Sequence, residues 1–340
     1  MDLPSKPLRV ALLLGGASAE RDVSIASAAE VIPALRGRGH SVEVFDTVKG
    51  RLSSAEEERV LTATVGYAPP DLALRSVVGM APRLVEELLG ADVVFLALHG
   101  GAGENGVIQA ILDAAGLRYT GSGHLASAMA MDKDLSKRLF RAGAIPTPDW
   151  VLLEPDDDPD GIPFEITPDS PLIVKPNAQG STIGLTLVKK PQDLHDAVRT
   201  ARMHDADVLV ERFVPGREFV VGVLDGQPLA VGEIKLRDKE IFDYEAKYQA
   251  GVALEIFPAD VPKELTADLE DLAGRAHEIL KASSYSRVDF RQDGEGRLWC
   301  LEVNTLPGLT ATSLFPQSAQ ASGVSFPELC ERICRSALGG

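Results

Sequence analysis

Cysteine is scarce in this chain of 340 residues: Cys300, Cys330 and Cys334 are all there is. Three thiols gathered toward one end cannot form a disulfide framework, and free thiols in a reducing compartment are the expectation. No His-Glu-x-x-His or Cys-x-x-Cys occurs, and the six histidines are scattered, which argues against zinc. No Gly-Lys dipeptide exists, so a Walker A phosphate loop is excluded. Long apolar runs are missing too. Val10 to Leu14 is a five-residue stretch, shorter than the core of a signal peptide and far short of a membrane span. A cytoplasmic protein with no membrane partner is expected. Basic residues are in deficit, 34 against 50 acidic ones, for a net charge of −16. That disfavours a nucleic-acid partner, because phosphate backbones are held by basic surfaces.

What is present is an ordinary globular composition, 45% hydrophobic and 25% charged, in a length that suits two or three domains. Residues 8–14 read as a buried strand, 22–35 as a helix, 41–45 as a strand, 83–89 as a helix and 92–98 as a strand. This alternation predicts an open parallel α/β sheet. Residues 50–80 hold a polar, helix-like run from Arg51 to Arg59, then Pro69-Pro70, and read as an insertion of little order. Thr120-Gly121-Ser122-Gly123 marks a hinge and Pro215-Gly216 a second boundary, giving units at 1–121, 122–215 and 216–340. In the middle unit, residues 125–142 read as one helix. An Asp- and Pro-rich loop follows, then strands at 171–176, 185–188 and 207–213 with a helix at 192–202. The last unit is β-rich, with strands at 218–223 and 229–236, a hairpin at 287–304, and helices at 263–280 and 326–338.

The hairpin carries the most chemistry. Side chains alternate faces along a strand, so Arg287, Asp289 and Arg291 share one face, and Cys300, Glu302 and Asn304 share another. A four-residue loop at 293–296 sets Asp289 opposite Cys300 and Arg287 opposite Glu302, with Asp289 and Glu302 as diagonal neighbours. Two carboxylates and an amide oxygen then converge as a hard-oxygen site suited to Mg²⁺, and a bridging carboxylate suits a two-metal clamp on phosphate. A hairpin with one solvated polar face shows the same pattern. The turn that follows, Thr305 to Thr310 with Pro307-Gly308, leaves backbone N–H groups free beside the acids and favours a site.

Lys175 ends a strand and leads into the glycine-rich stretch 177–184. Backbone N–H groups there can wrap phosphates, and Lys175 adds a point charge; a plain hairpin turn fits equally. Glu211 and Glu218 flank a turn where a carboxylate can hold ribose hydroxyls, or simply be solvated. Residues 242–248 interleave aromatic, acidic and basic groups in a loop. Gly101-x-Gly103-x-x-Gly106, between a strand and a helix, matches a dinucleotide fingerprint. Against it, Glu104 would repel a pyrophosphate, and the acid expected about 20 residues further on at a strand end is missing. A nicotinamide or other nucleotide-binding protein is the minor alternative.

Taken in order, Lys133, Lys175 to Gly184, Glu211 with Glu218, Arg287-x-Asp289 and Glu302-x-Asn304 resemble the ATP-grasp superfamily. Gly15-Gly16-x-Ser18-x-Glu20, His99-Gly100-x-x-Gly103-Glu104, Tyr244-Glu245-Ala246-Lys247-Tyr248 and Asn304-Thr305-x-Pro307-Gly308 narrow the resemblance to the D-alanine–D-alanine ligase family, from about residue 8 to 335. The resemblance implies an ATP-grasp fold, with an N-terminal open parallel α/β domain followed by two α+β domains clasping ATP. It implies an ATP-dependent ligase that joins two D-alanines through an acyl phosphate for peptidoglycan precursors, with two Mg²⁺ ions (Mn²⁺ is an alternative).

By resemblance, Asp289, Glu302 and Asn304 hold the metal, and Lys133 and Lys175 hold the α- and β-phosphates. Lys247 lies near the γ-phosphate, and Glu211 and Glu218 contact the adenine edge and ribose. Arg287 and the Gly308 N–H stabilise the oxyanion. Glu20 receives the first D-alanine's ammonium, with His99 and Glu104 beside the same substrate. Ser313 and the Leu314 N–H grip the second D-alanine's carboxylate. Ser181, Tyr248 and Glu20 form a hydrogen-bonded set that closes a lid. Tyr248 favours the dipeptide over D-alanyl-D-lactate, the alternative within the fold. The family is usually homodimeric.

Overall fold

The computed structural model describes residues 6–16, 18, 20–62, 81–236 and 253–339. The first unit holds β1 (Arg9–Leu14), α1 (Arg21–Gly37), β2 (Ser41–Asp46), β3 (Gly50–Arg51), α2 (Ser54–Leu61), α3 (Ala81–Leu88) and β4 (Val93–Leu96). The apolar run of β1 is buried from Val10 onward because the strand lies inside the sheet. β2 and β4 flank it in parallel, and β3 adds a short antiparallel edge to β2. The expected parallel sheet therefore forms. The helix-like run at 51–59 does form a helix, α2, preceded by the short β3, so the first part of 50–80 is ordered; a Ser53/Glu56 capping box starts α2 by satisfying backbone N–H groups that the helix leaves open. Residues 63–80 lie outside the described residues.

Next come α4 (Gly101–Glu104), α5 (Val107–Ala114), α6 (His124–Met131) and α7 (Lys133–Ala142). The single helix expected over 125–142 is in fact two. Asp132 leaves helical geometry at φ −77°, ψ 102°, and its carboxylate accepts the Leu135 N–H. It is an N-cap, but among helix-forming neighbours it reads like any solvated helix residue. The break makes Lys133 the first residue of α7. Ala130 of α6 and Phe140 of α7 pack into the core of the largest sheet.

β5 (Trp150–Leu153), β6 (Leu172–Pro176), β7 (Thr186–Val188), α8 (Leu194–Arg202) and β8 (Val208–Arg212) make the smaller antiparallel layer, in the order β5-β8-β6-β7. Leu194, Val198 and Ala201 of α8 cover Leu172, Val174 and Val208. The largest sheet comprises β9 (Arg217–Leu224), β10 (Gln227–Pro228), β11 (Gly232–Leu236), β12 (Ala253–Ile256), β13 (Tyr285–Gln292) and β14 (Leu298–Asn304), again antiparallel. α9 (Lys263–Ile279) packs on it through Leu269, Ala273 and Ala276, against Phe219, Val221 and Phe290.

α10 (Leu314–Ala321) and α11 (Phe326–Ser336) end the chain. α11 returns to the first unit, where Leu329, Cys330, Ile333 and Cys334 join the core built on β1 and α1. All three thiols are free and buried. β5, β12 and α10 escape the sequence reading because four to eight residues hold too few periods to stand out. Among the described residues, no helix is long and apolar enough to cross a membrane.

Candidate active site

The β13–β14 hairpin corrects the expected register. The Asp293 N–H donates to the Arg297 carbonyl at 3.0 Å, and Gly296 sits at φ +84°. A left-handed glycine closes a three-residue loop, so 294–296 form the turn, not 293–296. Phe290 therefore pairs with Cys300. Beyond a bulge, Asp289 pairs with Glu302 and Arg287 with Asn304. Neither Asp289 opposite Cys300 nor Arg287 opposite Glu302 survives. The shared face of Cys300, Glu302 and Asn304 is corrected as well. Cys300 packs in the core with Val303, while Leu301 and Glu302 both line the cleft. A bulge re-aims side chains in this way. It brings the two carboxylates from a diagonal to a direct pairing, about 4.5–5.5 Å between β-carbons.

One cavity opens between the two antiparallel sheets. Lys133, Lys175, Glu211, Glu218, Asp289 and Glu302 line it together with apolar Ile173, Leu185, Phe213 and Leu301. Lys133 donates to the Gln179 carbonyl at 2.7 Å and lies 3.7 Å from Glu302. Burial pulls its pKa down, and Glu302 opposes the shift. Lys175, on β6, pairs with Glu211 at 2.5 Å. Burial alone would raise the Glu211 pKa, but Lys137 and Lys175 reverse this and hold it at about 2. Ser181 and Thr182 adopt left-handed φ of 51° and 61°, turning the glycine-rich loop over the cavity. Asn177 ties that loop to the start of α7: its Oδ1 accepts the Asp134 N–H and its Nδ2 donates to Asp132, both at 2.9 Å. Arg291 lies 3.8 Å from Glu218.

A second cavity adjoins the first and shares Lys133, Gly180, Ser181 and Glu302 with it. Glu20, His99, Glu104, Arg287, Asn304 and Gly308 also line it. Ser181 Oγ donates to the Glu20 carboxylate. A β-carbon on Gly180 would come within 2.9 Å of that carboxylate, and one on Gly100 within 2.6 Å; both glycines make room for it. Glu104 accepts the Gly100 N–H at 2.9 Å. Burial first, then the charge of Glu20, push its pKa up to about 8, so it is protonated at neutral pH.

Burial lowers the His99 pKa to about 4, leaving a neutral ring whose Nε2 lies 3.1 Å from Ser27 Oγ. Arg287 donates twice to Asp289, Nε and one terminal nitrogen each at 2.7 Å. Asn304 Oδ1 accepts the Leu306 N–H at 2.8 Å. Ser313 stands beside Gly308: a β-carbon on that glycine would meet Ser313 Oγ at 2.9 Å. Leu314 is the first residue of α10, where a backbone N–H has no partner within its helix, and its side chain packs on Val220 and Ile234. Lys247 and Tyr248 lie outside the described residues.

The Gly101–Gly106 stretch is not built around a phosphate. Gly101–Glu104 is a helical turn. A β-carbon on Gly103 would meet Leu98 at 2.6 Å, and one on Gly106 the His124 carbonyl at 2.4 Å. These glycines serve the chain's own close packing. Lys137, visible in the sequence at i, i+4 from Lys133 but given no role there, is a buried partner of Glu211 at 2.9 Å. Its signal was its place one turn after Lys133.

Two antiparallel sheets clasping a lysine-lined cleft, beside an open α/β layer, define an enzyme of the ATP-grasp class. The family models described as D-ala D-ala ligase N-terminus and C-terminus match residues 9–122 and 139–335. The chain belongs to the D-alanine–D-alanine ligase family. It is 38% identical over 331 residues to the D-alanine–D-alanine ligase of a Synechococcus species, spanning 97% of this chain and 93% of the relative. It is 39% identical to that of Gloeobacter violaceus, spanning 97% and 100%. Among solved structures, the D-alanine–D-alanine ligase of Bacillus anthracis superposes with a TM-score of 0.77 at 30% identity, covering 98% of each chain. A second structure from that organism is a complex with ATP, with a TM-score of 0.77 at 28% identity, again covering 98% of each chain.

Proposed function

We propose that this chain joins two D-alanines at the expense of ATP, giving D-alanyl-D-alanine, ADP and phosphate for peptidoglycan precursors. One observation carries the reading: a cavity lined by cations and apolar side chains shares a wall with a small polar cavity, and Lys133 and Glu302 stand in that wall. A nucleotide's terminal phosphate and an amino-acid carboxylate can meet at that wall.

Asp289 and Glu302 pair directly across the hairpin, and Asn304 follows on the strand of Glu302. All three offer oxygen, which fits Mg²⁺, with Mn²⁺ as an alternative. When bound, the metal supplies the positive charge that lets two anions approach and the phosphoryl group transfer. The protein's own groups do the rest. Lys133 and Lys175 hold the phosphates, with Lys247 near the terminal one. Glu211 and Glu218 take the adenine edge and ribose. Glu20 accepts the ammonium of the first D-alanine. Glu104, protonated beside it, adds no second negative charge where the substrate carboxylate must sit, and neutral His99 flanks the same substrate.

Arg287 and the Gly308 N–H face the oxyanion that forms when the second amine attacks the acyl phosphate. Ser313 and the Leu314 N–H hold the second D-alanine's carboxylate. The Ser181–Glu20 hydrogen bond, with Tyr248 as its expected third member, fastens the glycine-rich loop over the site and keeps water from the acyl phosphate. In this reading, residues 1–121 supply the substrate side, 122–215 the lid and 216–340 the catalytic sheet, in a cytoplasmic homodimer.

The test is phosphate release from ATP with D-alanine and Mg²⁺, the product identified by mass, and D-lactate and other D-amino acids offered as competing acceptors. Release must depend on D-alanine; equal release with L-alanine, or none with either, defeats the proposal. Sedimentation of the purified protein tests the dimer.

A further inference from the structure

Lys137 does not line either cavity wall described above, yet its side chain is only 1% exposed. A lysine is almost never so buried unless it is paired. Three neighbours satisfy this one. Its Nζ donates to Thr147 Oγ1 at 2.7 Å, lies 2.9 Å from a Glu211 oxygen, and sits 5.1 Å from the centre of the Trp150 ring. Trp150 pairs directly with Glu211 across β5 and β8, so ring, carboxylate and ammonium form one block behind the nucleotide cavity. The other Glu211 oxygen belongs to Lys175, which does reach the cavity.

The carboxylate thus has one cation facing the ligand and one facing away. A Lys175 that turns toward a phosphate shares its charge between that ligand and Glu211. If it were the sole counter-charge, moving it to the ligand would leave a buried carboxylate uncompensated, a strongly unfavourable state. We infer that Lys137 is a positioning residue for the nucleotide, the fixed counter-ion that keeps Glu211 ionised and in place while Lys175 transfers to the triphosphate. An ionised Glu211 only accepts hydrogen bonds, which suits the amino edge of adenine. The ionisable groups around it are Lys133 and Lys137 from α7, Lys175 from β6, and Cys300 from β14 beyond Lys137. Burial keeps the Cys300 thiol protonated. The inference rests on the nucleotide reading of this cavity.

The test is ATP affinity, measured calorimetrically with Mg²⁺ and without D-alanine, for wild type, Lys137→Met, Glu211→Gln and the double variant. Lys137→Met is expected to weaken ATP binding by about tenfold or more. The ratio of variant to wild-type Kd should grow as pH rises from 6 to 9, because Glu211 must then take up a proton for Lys175 to leave. The double variant should recover most of the loss, since a neutral amide neither needs a counter-ion nor holds Lys175. An unchanged Kd in Lys137→Met overturns the inference. So does a loss that is constant with pH and equally large in the double variant, the mark of damaged packing. If Lys137→Met does not fold, Lys137→Gln, which removes the charge but keeps a donor for Thr147 Oγ1, carries the same three comparisons. Failure of the wild type to bind ATP overturns the nucleotide reading and this inference together. ATP binding without D-alanine-dependent turnover overturns the ligase reading alone.

Discussion

Replacing Glu104 by glutamine should change how the stability of this protein depends on pH. The carboxyl is 7% exposed, and burial followed by Glu20 raises its pKa from 4.5 to about 8, with the Gly100 N–H and Lys133 opposing. An acid whose pKa is raised by folding binds more protons folded than unfolded between those two values. Stability then falls as pH rises through that window and is level above it. The contribution is fully present below pH 4.5 and gone above about pH 8. At 1.36 kcal/mol per unit, a shift of three to four units amounts to roughly 5 kcal/mol. Part of that shift comes from the Glu20 charge beside it, so the change expected is about a few kcal/mol. Glutamine keeps the acceptor for the Gly100 N–H and has no charge to bury. Urea unfolding of the ligand-free, chelator-treated protein from pH 5 to 9 reads the difference. Wild type should lose a few kcal/mol relative to Glu104→Gln across that range, with the variant the more stable at pH 9. Parallel pH curves for the two proteins would refute the reasoning, because the buried carboxyl would then be titrating as it does in the unfolded chain.

Glu302→Gln should lower turnover by about 100-fold or more while near-UV circular dichroism stays unchanged; retained activity would remove Glu302 from the proposed site. Chelation of divalent cations should abolish phosphate release, and added Mg²⁺ or Mn²⁺ should restore it. Gly180→Ala places a methyl 2.9 Å from a Glu20 oxygen, and the flexible carboxylate can swing aside. The substitution should raise KM for D-alanine ~10-fold through the lost Ser181–Glu20 hydrogen bond, with the urea midpoint almost unmoved. Gly216→Ala is the opposite case: the methyl meets the Gln292 carbonyl at 2.1 Å, from a φ of +134°. Backbone cannot yield there as a side chain can, so a loss of about 2–4 kcal/mol in unfolding free energy is expected.

The order of the motif residues along the chain, the parallel strand at residues 9–14 and the helix that follows it could all be read directly. Each is a local fact: an apolar run buried on both faces, or an acid two positions from an asparagine. The rest depended on contacts between distant segments. The hairpin register turned on whether Gly296 would adopt a left-handed conformation, and the aim of Glu302 on a bulge that inserts Leu301. Neither leaves a trace in strict alternation. Asp132 broke one helix into two by capping the second, which its neighbours in sequence do not announce.

Sequence alone thus determined which groups are available: lysines in order along the chain, two acids on one hairpin, glycines where carboxylates need space. Tertiary structure decided their direction and their charge. Glu104 is pushed toward its protonated form, and Glu211 toward its ionised form, by the side chains that other elements pack against them. Burial raises a carboxyl's pKa and a neighbouring ammonium lowers it, and both quantities exist only once the sheets have closed around the cleft.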